Sequence, residues 1–109
     1  MICVSQAQEE HVETAAAVGS LQEVLAALSD PVRLEMVRRL ASADEPVACS
    51  RLYEGVSKST ASHHFKILRE AGVTERTVVG GQTCQRLRVA DVEGTYPGVL
   101  SSIVAAAGD

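Results

Sequence analysis

The sequence predicts a mainly α fold that carries a single β-hairpin, and three observations lead there. Apolar residues recur at i, i+3 and i+4 spacing in successive blocks, the pattern of amphipathic helices. Only Gly55-Val56 separates a short helical stretch from a longer, polar-faced one. After Gly72 the apolar period falls from about 3.6 to 2, and Gly80-Gly81 supplies the two-residue loop of a tight hairpin.

Residues 6–18 read as a helix with an acidic face (Glu9, Glu10, Glu13) and a soft apolar one (Val12, Ala15, Ala16), interrupted at Gly19-Ser20. A second helix over about 21–28 places Leu21, Val24, Leu25 and Leu28 on one stripe. Asp30-Pro31 opens a third. The aspartate accepts an orphan backbone N–H there, and proline lacks the N–H that would go unpaired. Leu34, Val37 and Leu40 form its stripe, with Met36 and Ala41 beside them, and residues 42–46 are a loop. A short helix is expected at about 49–54, and Ser57 begins another that runs to about Ala71. Ala61, Phe65 and Leu68 share one face of the latter, and Gly72 supplies a left-handed stop. Strands are expected over 74–79 and 82–89. Residues 93–96 connect to a last helix, 97–107, opened by Pro97 and striped by Val99, Leu100, Ile103, Val104 and Ala107.

The order is helix–helix–helix–short helix–polar-faced helix–hairpin–helix. It describes a winged helix-turn-helix, in which the polar-faced helix enters the DNA major groove. A length of 109 residues suits one domain spanning the chain, since domains mostly run to roughly 100–150 residues.

Composition narrows the function. Apolar residues at 46% and charged residues at 22% exclude disorder throughout. Phe65, Tyr53 and Tyr96 are the only aromatics, so stacking on single-stranded bases has little to work with. No run approaches the roughly 18 apolar residues of a membrane span. Residues 1–13 lack a signal-peptide pattern, so the cytoplasm is the expected location. Cys3, Cys49 and Cys84 are odd in number and form no CxxC or disulfide framework. No spacing supplies the third, orienting group that a Cys–His or Ser–His nucleophile needs, so an enzyme is not expected.

The formal charge of −4 hides a segregation. Residues 49–88 carry a net +4 and the remainder a net −8. A basic middle between acidic ends is a footprint for a polyanion, although an ordinary solvated surface can show the same.

The helix face opposite Phe65 carries Ser59, Ser62, His63 and Lys66, with Lys58 and Thr60 in the first turn. These groups suit phosphate oxygens and base edges, and no carboxylate occupies the first three turns after Ser57. A bland alternative is a solvent-facing polar stripe. On the hairpin, Arg76 lies at the base, Gln82 and Thr83 near the tip, and Arg86 and Arg88 on the return strand. A wing there reaches the neighbouring minor groove or backbone. Arg86 and Arg88, two apart, are expected on one face, as phosphate contacts or as ion-pair partners.

With these residues in view, the chain resembles the ArsR/SmtB family of bacterial winged-helix repressors. The resemblance covers roughly Leu21 to Val89. It rests on residues 25–34 (LAALSDPVRL) and 57–73 (SKSTASHHFKILREAGV). It implies that Ser57 to Lys66 is the recognition helix, which adds His64 to the contact set, and that Gln82, Thr83 and Arg86 belong to the wing. It further implies a homodimer joined through helices at about 6–18 and 97–107, double-stranded DNA with an inverted-repeat operator as partner, and repression as the outcome. The alternative function is a protein-interaction module without sequence-specific DNA binding.

Members of this family commonly release DNA on binding a metal or metalloid or on oxidation of a thiol; a co-regulatory protein or a small organic ligand is the alternative signal. One common metal site pairs two cysteines in the short helix; Ala48 and Ser50 stand there, with Cys49 between them. A second uses the last helix, but residues 97–107 hold no Asp, Glu, His or Cys. His63 and His64 are adjacent and point about 100° apart on a helix, which does not suit chelation. A transition metal ion would therefore need a distant assembly, with Cys3, Glu9, Glu10 and His11 joined by Asp91 or Glu93. Cys49, near a helix N-terminus, is the candidate redox thiol and Cys84 the companion, while the default reading of both is a small buried cysteine.

Overall fold

The computed structural model of the chain describes residues 16–108. The elements are α1 (Leu21–Leu28), α2 (Pro31–Ala43), β1 (Val47–Ala48), a 3-10 turn (Cys49–Arg51), α3 (Lys58–Glu70), β2 (Thr74–Val79), β3 (Gln82–Leu87), α4 (Val89–Thr95) and α5 (Val99–Ala107).

Local chemistry sets the helix starts. Ser20 and Glu23 form a reciprocal capping box on α1, with Ser20 N–H donating to Glu23 Oε1 at 2.7 Å and Glu23 N–H to Ser20 Oγ at 3.1 Å. At α2, Asp30 accepts from the N–H groups of Val32 and Arg33 at 2.9 and 3.1 Å, and Pro31 takes the first helical position. Burial pushes the Asp30 carboxyl up, but those two N–H groups outweigh it and hold the pKa below its ordinary value. Ser57 caps α3 by accepting from Thr60 N–H at 3.1 Å. Gly72 stops that helix at φ 81°. A Cβ there would lie 2.6 Å from Val18 Cα and 2.7 Å from Ala17 O, so the segment before α1 packs directly on the turn.

The sheet order is β1-β3-β2, antiparallel throughout. The hairpin register pairs Val79 with Gln82 and Glu75 with Arg86. One core joins the elements: Val24 and Leu28 of α1, Met36, Val37 and Leu40 of α2, Leu52 after the 3-10 turn, Phe65 and Leu68 of α3's buried side, Val73, Leu87, Val92 and Leu100. Its fully buried part is aliphatic apart from Phe65 among the described residues, with Tyr53 and Tyr96 packed against it. No described helix is long and apolar enough to cross a membrane.

Several expectations need correction. Of the helix expected over 6–18, residues 6–15 lie outside the described residues, and 16–18 are not helical. The stripe on α1 is turned: Val24, Ala27 and Leu28 are buried, whereas Leu21 and Leu25 are 38% and 44% exposed. The short helix is one 3-10 turn, and the residues before it form β1, a two-residue strand paired to β3. Strand β3 ends at Leu87, two residues early. The expected connection at 93–96 lies largely within α4, a helix too short to show a period, which buries only Val92. The last helix begins at Val99, because Gly98 before it is left-handed at φ 84°. Its cap comes from another helix. Glu93 accepts from the N–H groups of Gly98 and Ser101 at 2.8 and 3.0 Å, which lowers its pKa.

Candidate nucleic-acid interface

Helix α3 divides sharply between two faces. Ala61, Phe65 and Leu68 are buried, and the Phe65 ring meets Tyr53 edge-on with centroids 6.2 Å apart. Burying one such side chain contributes on the order of 2 kcal/mol, so this face fixes the helix rotation. The opposite face therefore projects Lys58, Ser59, Ser62, His63 and Lys66 into solvent. Thr60 is also exposed, but its hydroxyl accepts from Ser57 Oγ at 3.0 Å. Lys66 Nζ stands 4.0 Å from Glu70 Oε2 with both side chains more than 60% exposed, a weak pair that leaves the ammonium available. The first turn of α3 holds no acid.

His64 departs from the expected contact set. It turns back toward α2, where Arg33 Nη1 donates to its Nδ1 at 3.0 Å and Asp30 Oδ2 lies 3.8 Å away. A guanidinium only donates, so Nδ1 is the acceptor and the neutral ring carries its proton on Nε2. Arg33 Nε also donates to Ala27 O at 2.7 Å. His64 thus ties α3 to α2, and its neighbour His63 alone faces outward.

The wing behaves differently. The register sets Arg86 opposite Glu75, and the two form an ion pair across the strands, with Arg86 Nε donating to Glu75 Oε2. Arg88 does not share its face. The strand has ended, and the Arg88 side chain is buried, donating to Ala16 O and, at 3.1 Å, to Asp91 Oδ2. Gln82, Thr83 and Arg76 are exposed. Together with Lys58 and Ser62 of α3, these three line one cleft of about 420 Å³ between helix and hairpin. Helix and wing residues that are distant in sequence thus converge on one surface.

Gln85 was not anticipated. It sits in β3 opposite Val47, is 1% exposed, and donates from Nε2 to Cys49 Sγ at 3.6 Å. A glutamine in an alternating strand carries no sequence signal of burial; the contact with Cys49 joins residues 36 apart. The pairing of β1 with β3 separates the thiols. Cys84 lies opposite Ala48, one residue out of step from Cys49, so the two cysteines line clefts on different sides of the sheet. Burial, and secondarily the neighbouring Cys49, push the Cys84 thiol up, which disfavours the reactive thiolate.

The metal candidates Cys3, Glu9, Glu10 and His11 lie outside the described residues. Their suggested companions are engaged: Asp91 with Arg88, and Glu93 with the N-terminus of α5. Among the described residues no three His, Cys, Asp or Glu side chains come together as metal ligands.

Residues 28–77 match a family described as a helix-turn-helix domain. The chain is 34% identical over 83 residues to the HTH-type transcriptional regulator YceK of Bacillus subtilis, covering 74% of this chain and 83% of that protein. Among solved structures it is similar to an ArsR-like transcriptional regulator from Rhodococcus sp. RHA1, at 30% identity, TM-score 0.60 and coverage of 79% and 80% of the two chains. It is also similar to the transcriptional repressor BigR from Xylella fastidiosa, at 27% identity, with the same TM-score of 0.60 and the same coverage.

Proposed function

We propose a mode of action from one premise: the chain belongs to the ArsR-like family of winged helix-turn-helix regulators, DNA-binding proteins that control transcription. It acts as a homodimeric repressor on an inverted-repeat operator. Helix α3 enters the major groove of each half-site, and the hairpin lies over the adjacent backbone. The observation that carries this reading is the outward face of α3. It presents exposed donors, Lys58, Ser59, Ser62, His63 and Lys66, on a helix whose rotation is fixed by buried Ala61, Phe65 and Leu68. Lysines meet phosphate, while Ser62 and His63, nearer the middle of the exposed face, meet base edges. Arg76, Gln82 and Thr83 extend the contact along the wing.

Dimerisation is supported by α5. Leu100 is buried against the core, while Ile103, Val104 and Ala107 remain half-covered. A second copy would complete their burial, and a two-fold protein matches an inverted repeat.

The test is fluorescence anisotropy with the protein's own promoter duplex and a scrambled duplex, across roughly 50–200 mM salt. The promoter should bind more tightly, and log K should fall with log salt at a slope of about −5.4, for Lys58, Lys66 and Arg76 of two subunits. The double substitution Ser62→Ala, His63→Ala should abolish the preference while the circular-dichroism melt stays unchanged. Salt-independent association, or discrimination retained by the double variant, would overturn the assignment of this face.

A further inference from the structure

The cleft between α3 and the wing has a feature that a DNA backbone does not satisfy. Gln85 lines it and is buried. Its Nε2 is held by Cys49 Sγ at 3.6 Å, which orients the amide and leaves Oε1 with no hydrogen-bond partner among the described residues. A buried carbonyl oxygen without a donor is costly and needs an explanation; for an orphan that lines a cleft, a bound donor is one. A DNA backbone offers phosphate and ether oxygens but no N–H or O–H, so it cannot supply the missing donor.

The remaining walls define what can. Phe65 and Tyr53 give an aromatic floor. Lys58, Arg69 and Arg76 bring three positive charges, and among the described residues no carboxylate lines the space. Its volume of about 420 Å³ falls in the range that holds small organic molecules. We propose that this cleft binds a small aromatic carboxylate bearing a hydroxyl group. Its ring rests on Phe65 and Tyr53, its carboxylate faces the Lys58–Arg69–Arg76 rim, and its hydroxyl donates to Gln85 Oε1.

The position implies a consequence for regulation. Lys58, Ser62 and Gln82 line the cleft and also belong to the DNA-contacting surface of the previous section. Acid and operator compete for them, so the acid releases DNA. This consequence rests on the DNA-binding reading; binding of the acid does not.

The experiment uses the full chain, labelled with 15N, and three probes: 4-hydroxybenzoate, 4-hydroxyphenylacetate and 4-hydroxycinnamate. Controls are benzoate, which lacks the donor, 4-hydroxybenzyl alcohol, which lacks the charge, and dimethyl phosphate, which imitates the DNA backbone. The side-chain amide of Gln85 and the backbone amides of Cys49 and Phe65 should shift saturably with at least one probe. That probe should bind about fivefold more tightly than its counterpart without the hydroxyl, the equivalent of about 1 kcal/mol. Gln85→Leu removes the orphan acceptor at similar volume and should erase this fivefold difference without weakening DNA binding. Failure of all three probes to shift the cleft would overturn the proposal. So would a preference that survives in Gln85→Leu, or a response to dimethyl phosphate alone, which would make the cleft a seat for the DNA backbone. Anisotropy on promoter DNA, measured without and with the bound probe, separates the two readings. DNA bound without probe and retained with it overturns competition alone; no DNA binding in either case strikes the function and leaves the acid site standing.

Discussion

The recognition helix and the wing carry similar cationic and polar residues, yet the structure uses them in opposite ways. On α3 the outward groups stay exposed: Lys58, Ser62, His63 and Lys66 have solvent around them. On the hairpin's return strand, Arg86 is paired with Glu75, and Arg88 is buried against Ala16 O and Asp91. A helix separates its two faces by its own periodicity, so a polar face needs no partner elsewhere in the chain. A hairpin sets each residue against another strand, and there the register chooses the partner. An arginine on a strand is therefore a weaker sign of a nucleic-acid contact than a lysine on the outer face of a packed helix.

The largest test of this contrast is steric. Gly72, at the end of α3, and Gly81, in the wing turn, both have φ near 80°. A methyl group at Gly72 meets backbone at 2.6 Å, whereas at Gly81 nothing lies within 4 Å. Gly72→Ala should cost about 3 kcal/mol or more in urea unfolding, and Gly81→Ala about 1. Equal costs would show that the close packing of Val18 on the turn contributes little.

The two wing arginines come next. Arg88→Met removes a buried guanidinium together with its bonds to the Ala16 carbonyl and the Asp91 carboxylate, and should destabilise by about 2 kcal/mol. Arg86→Met removes a pair whose arginine is 46% exposed, and should cost less than about 1 kcal/mol. A reversed order would mean that the cross-strand pair, rather than the buried one, holds the wing.

A finer measurement separates helix from wing on DNA. Lys66→Ala should weaken binding to every duplex and reduce the salt slope by about 0.9 per subunit. Arg86→Met should leave the slope nearly unchanged, because Glu75 already neutralises that charge. A matching fall in both variants would place Arg86 on phosphate as well.

The smallest effect belongs to the scaffold behind both regions. Glu35 of α2 accepts hydrogen bonds from Arg38 and Arg39, and these hold its pKa at about 2, below the ordinary 4.5. A depressed carboxylate stabilises the fold above its unfolded pKa, and that contribution fades as pH falls from about 4.5 to about 2. Glu35→Gln should flatten the stability profile over this acid window by lowering stability near neutral pH, the two proteins converging near pH 2; the loss is modest, since Glu35 is 39% exposed. An unaltered acid slope would show that the Arg38–Glu35–Arg39 cluster is not coupled to folding.

Features governed by neighbours in the chain were legible without coordinates. Asp30-Pro31, Ser57 and Gly72 mark helix boundaries through bonds and dihedrals that span only a few residues. The buried Ala61–Phe65–Leu68 face follows from helical spacing, and the DNA-facing side of α3 follows from it in turn. What escaped depended on residues far apart. Arg33, 31 positions earlier, captures His64; Ala16, 72 positions earlier, captures Arg88; Cys49, 36 positions earlier, holds the buried Gln85. Glu93 caps a helix other than its own, and Leu21 and Leu25 lie outside the core although their spacing matches it. Helical propensity, caps and turns are short-range energies, so they can be read along the chain. Burial and pairing of a polar side chain depend on which distant element packs against it, and that is settled only when the elements assemble.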